Sequence, residues 1–156
     1  MAARGRHGDG DTVDALVQLS FLVQRILAES GGPLDLSIIQ MRLLGVLRDR
    51  QAGMLELGRH LGLDKSSMTG LVDRAERRGL VERSPSPRDG RAVLVSLTPA
   101  GRELTEQCGV EVDRRLKQLI DRLAPAQHDE LTRLAAALLA SPSSSRDGEP
   151  GRAAAQ

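Results

Sequence analysis

A chain of 156 residues with a single cysteine is long enough to bury one core but too short for two independent domains, and it excludes an intrachain disulfide framework. One phenylalanine and no tyrosine or tryptophan leave the core to Leu, Val, Ile, Ala and Met, a composition that favours helices. The net charge of +1 hides a local excess: residues 59–91 hold 8 basic against 5 acidic side chains, while the stretches before and after hold 6 against 7 and 8 against 9, so the middle of the chain suits a phosphate-bearing partner.

Residues 1–10 are rich in Gly and charge and read as a flexible tail. Helical spacing begins after them. Val13, Leu16, Val17, Ser20, Val23 and Leu27 form one stripe, with Leu19, Leu22 and Ile26 beside it, so this helix is apolar over too wide an arc for a simple surface helix. It is expected to stop at Gly31-Gly32-Pro33, where glycine caps and proline cannot continue. A second helix starts near Ser37 and carries Ile38, Met41, Leu44, Val46 and Leu47. A loop ending at Gly53 leads to a third helix over 55–61, stopped by Gly62. Asp64 then caps a fourth, which runs to about Arg78 and is closed by Gly79. Two helices joined by a short glycine-containing turn are the signature of a helix-turn-helix.

The period then changes from 3.6 to 2. Residues 80–83 and 92–97 read as two strands of a hairpin, joined by turn residues that include Asp89-Gly90. Thr98-Pro99 opens a long helix with Leu104, Cys108, Val112, Leu116, Leu119 and Leu123 on one face, and Pro125 opens a last helix marked by Leu131, Leu134, Leu138 and Leu139. Residues 141–156 read as a second, disordered tail. The fold class is therefore mainly α with a small β-hairpin wing. A winged helix-turn-helix over 33–97 is flanked by helices over 11–32 and 98–140, whose apolar faces find too little of the same chain to cover them and call for a partner subunit.

On the fourth helix Met68, Leu71, Val72 and Ala75 fall on one face, which must pack inward. Ser66, Gly70, Asp73 and Arg77 then point outward, flanked by Ser67, Thr69 and Arg74. Small hydroxyl side chains near a helix N-terminus and arginines further along suit base edges and phosphates in a major groove. Gly70 reads equally as close approach of backbone to DNA or as a tolerated glycine on a solvated face. Asp73 would repel phosphate unless paired, and Arg77, one turn on, is the expected partner. Arg88 and Arg91 flank Asp89-Gly90 at the hairpin tip, where an arginine can enter a minor groove.

These pieces, in this order, resemble the multiple-antibiotic-resistance regulator (MarR) family of winged-helix proteins, over about residues 11–140. The resemblance is carried by Leu57 to Leu63, by Asp64-Lys65-Ser66-Ser67-Met68-Thr69-Gly70-Leu71-Val72-Asp73-Arg74, by Gly79-Leu80-Val81-Glu82-Arg83, by Asp89-Gly90-Arg91 and by Leu97-Thr98-Pro99-Ala100-Gly101. It implies a homodimer built from the first and last two helices, which binds double-stranded, pseudo-palindromic operator DNA and is expected to act as a repressor. Lys65, Ser66, Ser67, Thr69, Gly70, Arg74, Arg77, Arg88 and Arg91 are the DNA-contact candidates, with Asp89 holding Arg91. Members of the family bind small molecules between the dimerisation helices and the winged unit. Here Phe21, Arg25, Met41 and Arg42 are the effector-pocket candidates, and with no other aromatic side chain a phenolic effector is not expected.

Other chemistry finds little footing. Cys108 falls on the apolar face of the long helix and reads as packing rather than as a redox sensor. His7, His60 and His128 have no metal-ligand spacing, and neither a cofactor nor a catalytic site is expected, for want of a phosphate-binding glycine loop or a nucleophile motif. The first residues pair Arg4 and Arg6 with Asp9, Asp11 and Asp14, unlike a signal peptide. No uncharged apolar run approaches the ~18 residues of a membrane span, so a soluble, cytoplasmic protein is expected. The competing reading is a winged-helix module that binds another protein and no longer binds DNA.

Overall fold

The computed structural model describes residues 9–140; the two segments read as tails lie outside them, apart from Asp9 and Gly10, which begin the first helix. The elements in chain order are α1 (Asp9–Gly31), a 3-10 turn (Gly32–Leu34), α2 (Ile38–Leu47), β1 (Ala52–Gly53), α3 (Met54–Leu61), α4 (Lys65–Arg77), β2 (Val81–Pro85), β3 (Val93–Leu97), α5 (Pro99–Ile120) and α6 (Pro125–Ala140). Two compact units divide them, one up to Gln118 and one from Leu119.

Local chemistry sets the helix ends. Ser37 and Gln40 make a reciprocal capping box at the start of α2, with Ser37 N–H donating to Gln40 Oε1 at 2.9 Å and Gln40 N–H donating to Ser37 Oγ at 3.3 Å. Asp64 Oδ1 accepts Ser67 N–H at 2.9 Å and caps α4. That hydrogen bond, helped by the Ser67 hydroxyl, holds the Asp64 carboxyl below its ordinary range. At the other end of α4, Gly79 at φ 68° lets its own N–H reach Glu76 O at 2.8 Å while Leu80 N–H reaches Ala75 O at 3.0 Å. This is the two-bond left-handed ending that satisfies the carbonyls of Ala75 and Glu76 in the last turn.

The core of the first unit is where α2, α3, α4 and the sheet meet. Leu43, Leu44 and Leu47 from α2, Leu57 from α3, Met68, Leu71, Val72 and Ala75 from α4, and Val81, Val95 and Leu97 from the strands are all buried. The sheet is antiparallel with order β1-β3-β2, pairing Val81 with Leu97, Arg83 with Val95, and Ala52 with Val95 on the other side. It has one strand more than the expected hairpin. The extra strand is only Ala52-Gly53, too short to show a period of two and made of residues with poor strand propensity. The strand starting at Val81 also runs two residues past the expected end. Leu123, expected on the face of α5, lies in the turn after it, where its N–H donates to Ile120 O at 2.9 Å.

Thr98 ties three elements together. Its N–H donates to Leu80 O at 3.1 Å, its hydroxyl donates to Gly79 O at 2.6 Å, and the same oxygen accepts Gly101 N–H at 3.0 Å. The first turn of α5 therefore sits directly on the backbone that ends α4. A Cβ at Gly101 would lie 1.8 Å from Leu80 O, whereas one at Gly109, further along the helix, would meet nothing within 4 Å.

Gly101→Ala is therefore expected to destabilise the fold by about 1–3 kcal/mol through overpacking against rigid backbone. Gly109→Ala should leave it unchanged or raise it by up to ~1 kcal/mol through helix propensity. Urea unfolding of the two variants beside the parent measures both.

Candidate nucleic-acid interface

Burial of Met68, Leu71, Val72 and Ala75 fixes the rotation of α4 and turns the rest of its surface outward. Lys65, Ser66, Ser67, Thr69, Arg74 and Arg77 are exposed, and Gly70 and Asp73 are half-buried. The hydroxyls are not equally free. Ser67 Oγ donates to Asp64 Oδ2 at 2.7 Å and Thr69 Oγ1 donates to Lys65 O at 2.8 Å, so each offers a ligand its oxygen lone pairs while its proton is already used. A Cβ at Gly70 would touch only Arg74 Nη1, at 3.4 Å. Internal packing thus makes no demand for glycine there.

Arg77 is not the partner of Asp73. The acid is held by Arg83 of β2, whose Nη2 lies 2.6 Å from Asp73 Oδ1 while Nη1 bonds Glu76 Oε2. Arg83 opposes the buried Val95 across the sheet. Cross-strand partners share a face, so its side chain projects on the side where α4 packs. Burial works against its charge, yet Asp73 and Glu76 together raise the guanidinium above its ordinary pKa. Sequence reading missed Arg83 because a residue on a short strand carries no mark of the helix it will meet. The alternation Val81, Arg83, Pro85 was the available signal, since it puts the arginine on the inward face with Val81.

The wing is the segment between β2 and β3. Ser86 N–H bonds Ala92 O at 2.8 Å, Ala92 N–H bonds Asp89 O at 2.9 Å, and Ser86 Oγ accepts the N–H groups of Arg88 and Asp89. Asp89 Oδ1 accepts the backbone N–H of Arg91 at 3.1 Å. It shapes the turn that carries Arg91 rather than pairing with the guanidinium. Arg88, Asp89 and Arg91 are all exposed. Lys65, Arg74, Arg77, Arg88 and Arg91 carry no ion pair among the described residues, as is also true of Arg42, Arg59, Arg102 and Arg122, whereas Arg25, Arg48, Arg50, Arg114, Arg115 and Arg133 each have an acidic partner. At the C-terminal end of α4, Arg78 donates to the carbonyls of Leu34 and Asp35 and so fastens that end to the turn after α1.

Beside a polar hollow of about 320 Å³ lined by Asp35, Gln40, Arg74, Arg77 and Arg78, the first unit holds two largely apolar cavities. One, of about 650 Å³, is an apolar groove beside the helix-turn-helix, walled by Met54, Leu55, Gly58, Leu63 and Met68 with Arg59, Lys65 and Thr69 at its edge. The other, of about 270 Å³, lies between α1, α2 and α5, with Leu27, Leu36, Ile38, Met41, Leu44, Cys108 and Val112 in its wall and Arg42, Arg48 and Asp113 as its charged lining. Of the four effector-pocket candidates, Met41 and Arg42 meet here. Phe21 does not; it is 60% exposed on α1, and Arg25 pairs with Glu29 at 4.0 Å. Near this cavity, Arg115 of α5 holds α1 through Glu29 Oε2 at 2.7 Å, and it shares Glu111 with Arg114. Hydrogen bonds from those two arginines bring the Glu111 carboxyl down to about 2. Cys108 is buried, and burial pushes its thiol pKa up, away from the reactive thiolate. Among the described residues no three His, Cys, Asp or Glu side chains gather to hold a metal ion, and no helix is long and apolar enough to cross a membrane.

The sequence profile of the MarR family matches residues 34–92, from the turn after α1 to the end of the wing. The chain is 38% identical over 95 residues to the multiple antibiotic resistance protein MarR of Escherichia coli strain K12, a match that takes in 60% of this chain and 66% of that protein. It thus spans just under two thirds of that relative's length. It is 30% identical over 131 residues to the HTH-type transcriptional regulator YhbI of Bacillus subtilis strain 168, covering 82% of both chains. Among solved structures, a cysteine-to-serine mutant of E. coli MarR complexed with operator DNA superposes with a TM-score of 0.67 at 30% identity, over 85% of this chain and 99% of that one. NadR in complex with 4-hydroxyphenylacetate gives 0.69 at 25%, over 90% and 99%. A helix-turn-helix followed by an antiparallel sheet and wing, together with 30% identity to a relative matched over 82% of its length, places the chain in the MarR family of winged-helix proteins.

Proposed function

We propose that the protein is a homodimeric repressor that binds a pseudo-palindromic operator in double-stranded DNA. In this reading α4 enters the major groove and the wing reaches the flanking minor groove. The observation that carries it is the set of cations without ion pairs, Lys65, Arg74 and Arg77 on α4 with Arg88 and Arg91 on the wing. A cation with no internal partner meets a phosphate without first breaking an ion pair, and each such contact releases a counterion. Ser66, Ser67 and Thr69 present acceptor oxygens at the N-terminal half of the same helix, where base edges are read. Gly70 keeps the backbone open between them. E. coli MarR, which superposes on this chain, is seen with operator DNA, and that supports carrying the same class of partner to this protein.

The division of labour follows the exposed surfaces. Residues 33–97 form the DNA-binding unit. The helices over 11–32 and 98–140 supply dimerisation, for α1 leaves Val13, Leu16, Val17, Leu19 and Phe21 exposed and α6 leaves Leu131, Leu134, Leu138 and Leu139 exposed. Stripes of that length on single helices mark contact surfaces. Two-fold symmetry then sets half-sites about one helical turn, ~10 bp, apart. Repression needs nothing beyond occupancy of the operator. The cavity between α1, α2 and α5 is the effector site of this reading. Its wall of aliphatic side chains, with Arg42 and Arg48 outnumbering the single carboxylate of Asp113, suits a small aliphatic acid, and a ligand-bound relative, NadR with 4-hydroxyphenylacetate, supports an effector of acidic character.

The deciding experiment is a salt titration on fragments selected from the source genome. A dimer touching ~6 to 10 phosphates loses ~10³ to 10⁵ in affinity between ~50 and ~200 mM salt; a winged-helix protein scaffold has no DNA affinity to lose. Arg91→Ala should weaken operator binding about tenfold, while Arg133→Ala, whose parent pairs with Glu130 on α6, should bind as the parent does. Equal losses from the two would remove the wing from the interface. Leu134→Glu combined with Leu138→Glu is expected to shift the protein to a monomer in sedimentation and to abolish operator binding with it. A dimer of undiminished strength would overturn the assignment of α6 to dimerisation.

A further inference from the structure

The recognition helix is less basic than its role asks. Along Lys65–Arg77 it carries Lys65, Arg74 and Arg77 but also Asp73 and Glu76. Asp73 lies on the outward face, one turn after Thr69 and one turn before Arg77, where a carboxylate works against a phosphate. Glu76 is exposed one turn beyond it. Both acids nevertheless converge on one cation supplied from outside the helix, Arg83 of β2, whose two terminal nitrogens are divided between them, 2.6 Å from Asp73 Oδ1 and in contact with Glu76 Oε2. The Arg83 side chain is only 26% exposed, against 49% and 41% for those of its partners, so it is the more buried member of the cluster.

We propose that Arg83 is a positioning residue that masks the two carboxylates of the recognition helix and so permits α4 to approach a polyanion. The inference rests on the DNA-binding reading above. Arg83 acts through Asp73 and Glu76 and makes no DNA contact of its own. With it in place, the outer face of α4 presents Lys65, Arg74 and Arg77 with little opposing charge; without it, two unmasked acids cancel most of that attraction. The mask is built into the sheet register, because Arg83, on the strand that leads into the wing, opposes the buried Val95.

The test uses three variants of the full chain, Arg83→Met, the double change Asp73→Asn with Glu76→Gln, and all three together, each checked for parental melting and oligomeric state. Affinity for a selected genomic fragment is then measured at ~50 and ~200 mM salt. Arg83→Met should lose about tenfold at the lower salt, as expected for uncovering a partly exposed charge pair, with a smaller deficit at the higher salt where the acids are screened. The triple variant should recover to within about threefold of the parent, because neutral amides need no mask, and the double variant alone should bind no more weakly than the parent. A triple variant as weak as Arg83→Met would overturn the proposal and make Arg83 either a phosphate contact or a scaffold for the wing. Parental binding by Arg83→Met, or a weakened double variant, would overturn it equally. Should Arg83→Met fail to fold, the double and triple variants still decide. A parent protein with no salt-sensitive grip on DNA removes the functional reading and the mask together, whereas a parent that binds and variants that break this pattern remove the mask alone.

Discussion

The arrangement of the winged helix-turn-helix turns on one packing constraint, the burial of Met68, Leu71, Val72 and Ala75 between α2, α3 and the sheet. Each of the larger three contributes on the order of 1.5–3 kcal/mol by leaving water, and together they allow α4 a single rotation about its axis. Because a helix has only one angular degree of freedom once its stripe is seated, the outward residues follow with no further choice. The positions of Ser66, Thr69, Arg74 and Arg77 are therefore consequences of the core, and a change in core volume would be felt first as a change in how the helix addresses its ligand.

Around that seated helix the fold is a chain of closures. Gly62 and Gly79, both at φ 68°, end α3 and α4 in the left-handed conformation that side chains resist. Thr98 then joins the end of α4 to the start of α5 through three hydrogen bonds, and Gly101 lets the two backbones touch. The opposite edge is fastened by Arg78 on the carbonyls of Leu34 and Asp35. Helix α4 is consequently held at its C-terminal end by α5 on one side and by the turn after α1 on the other. Such bonds are worth about 1 kcal/mol each net, more when one partner is charged, and their effect here is to hold the end of α4 against its neighbours.

Electrostatics divides the surface in a second way. The arginines of α1, of the end of α2 and of α5 are largely spent on acids nearby, as in the Glu29, Arg115, Glu111 and Arg114 network. Exposed pairs of this kind add little to stability, but they leave those helices near neutrality and suited to contact with another protein surface. On α4 and the wing the balance is reversed, and the cations stand unpaired. A net charge of +1 is thus the sum of regions with different charge balance, which is why the overall figure said so little.

By itself the sequence determined every helix, the helix-turn-helix, the hairpin and the inward stripe of α4, because these follow from spacing, caps and turn residues that act over a few positions. The capping roles of Ser37, Asp64, Gly79 and Thr98 belong to the same class. Only the tertiary structure decided the contacts between elements distant along the chain: the strand Ala52-Gly53 added to the wing, Arg83 rather than Arg77 as the partner of Asp73, and the gathering of Met41 and Arg42 at a cavity that Phe21 and Arg25 do not reach. The physical reason is that local propensity is written in neighbouring residues, whereas the partner of a long charged side chain or of a two-residue strand is chosen by which surfaces the core brings together.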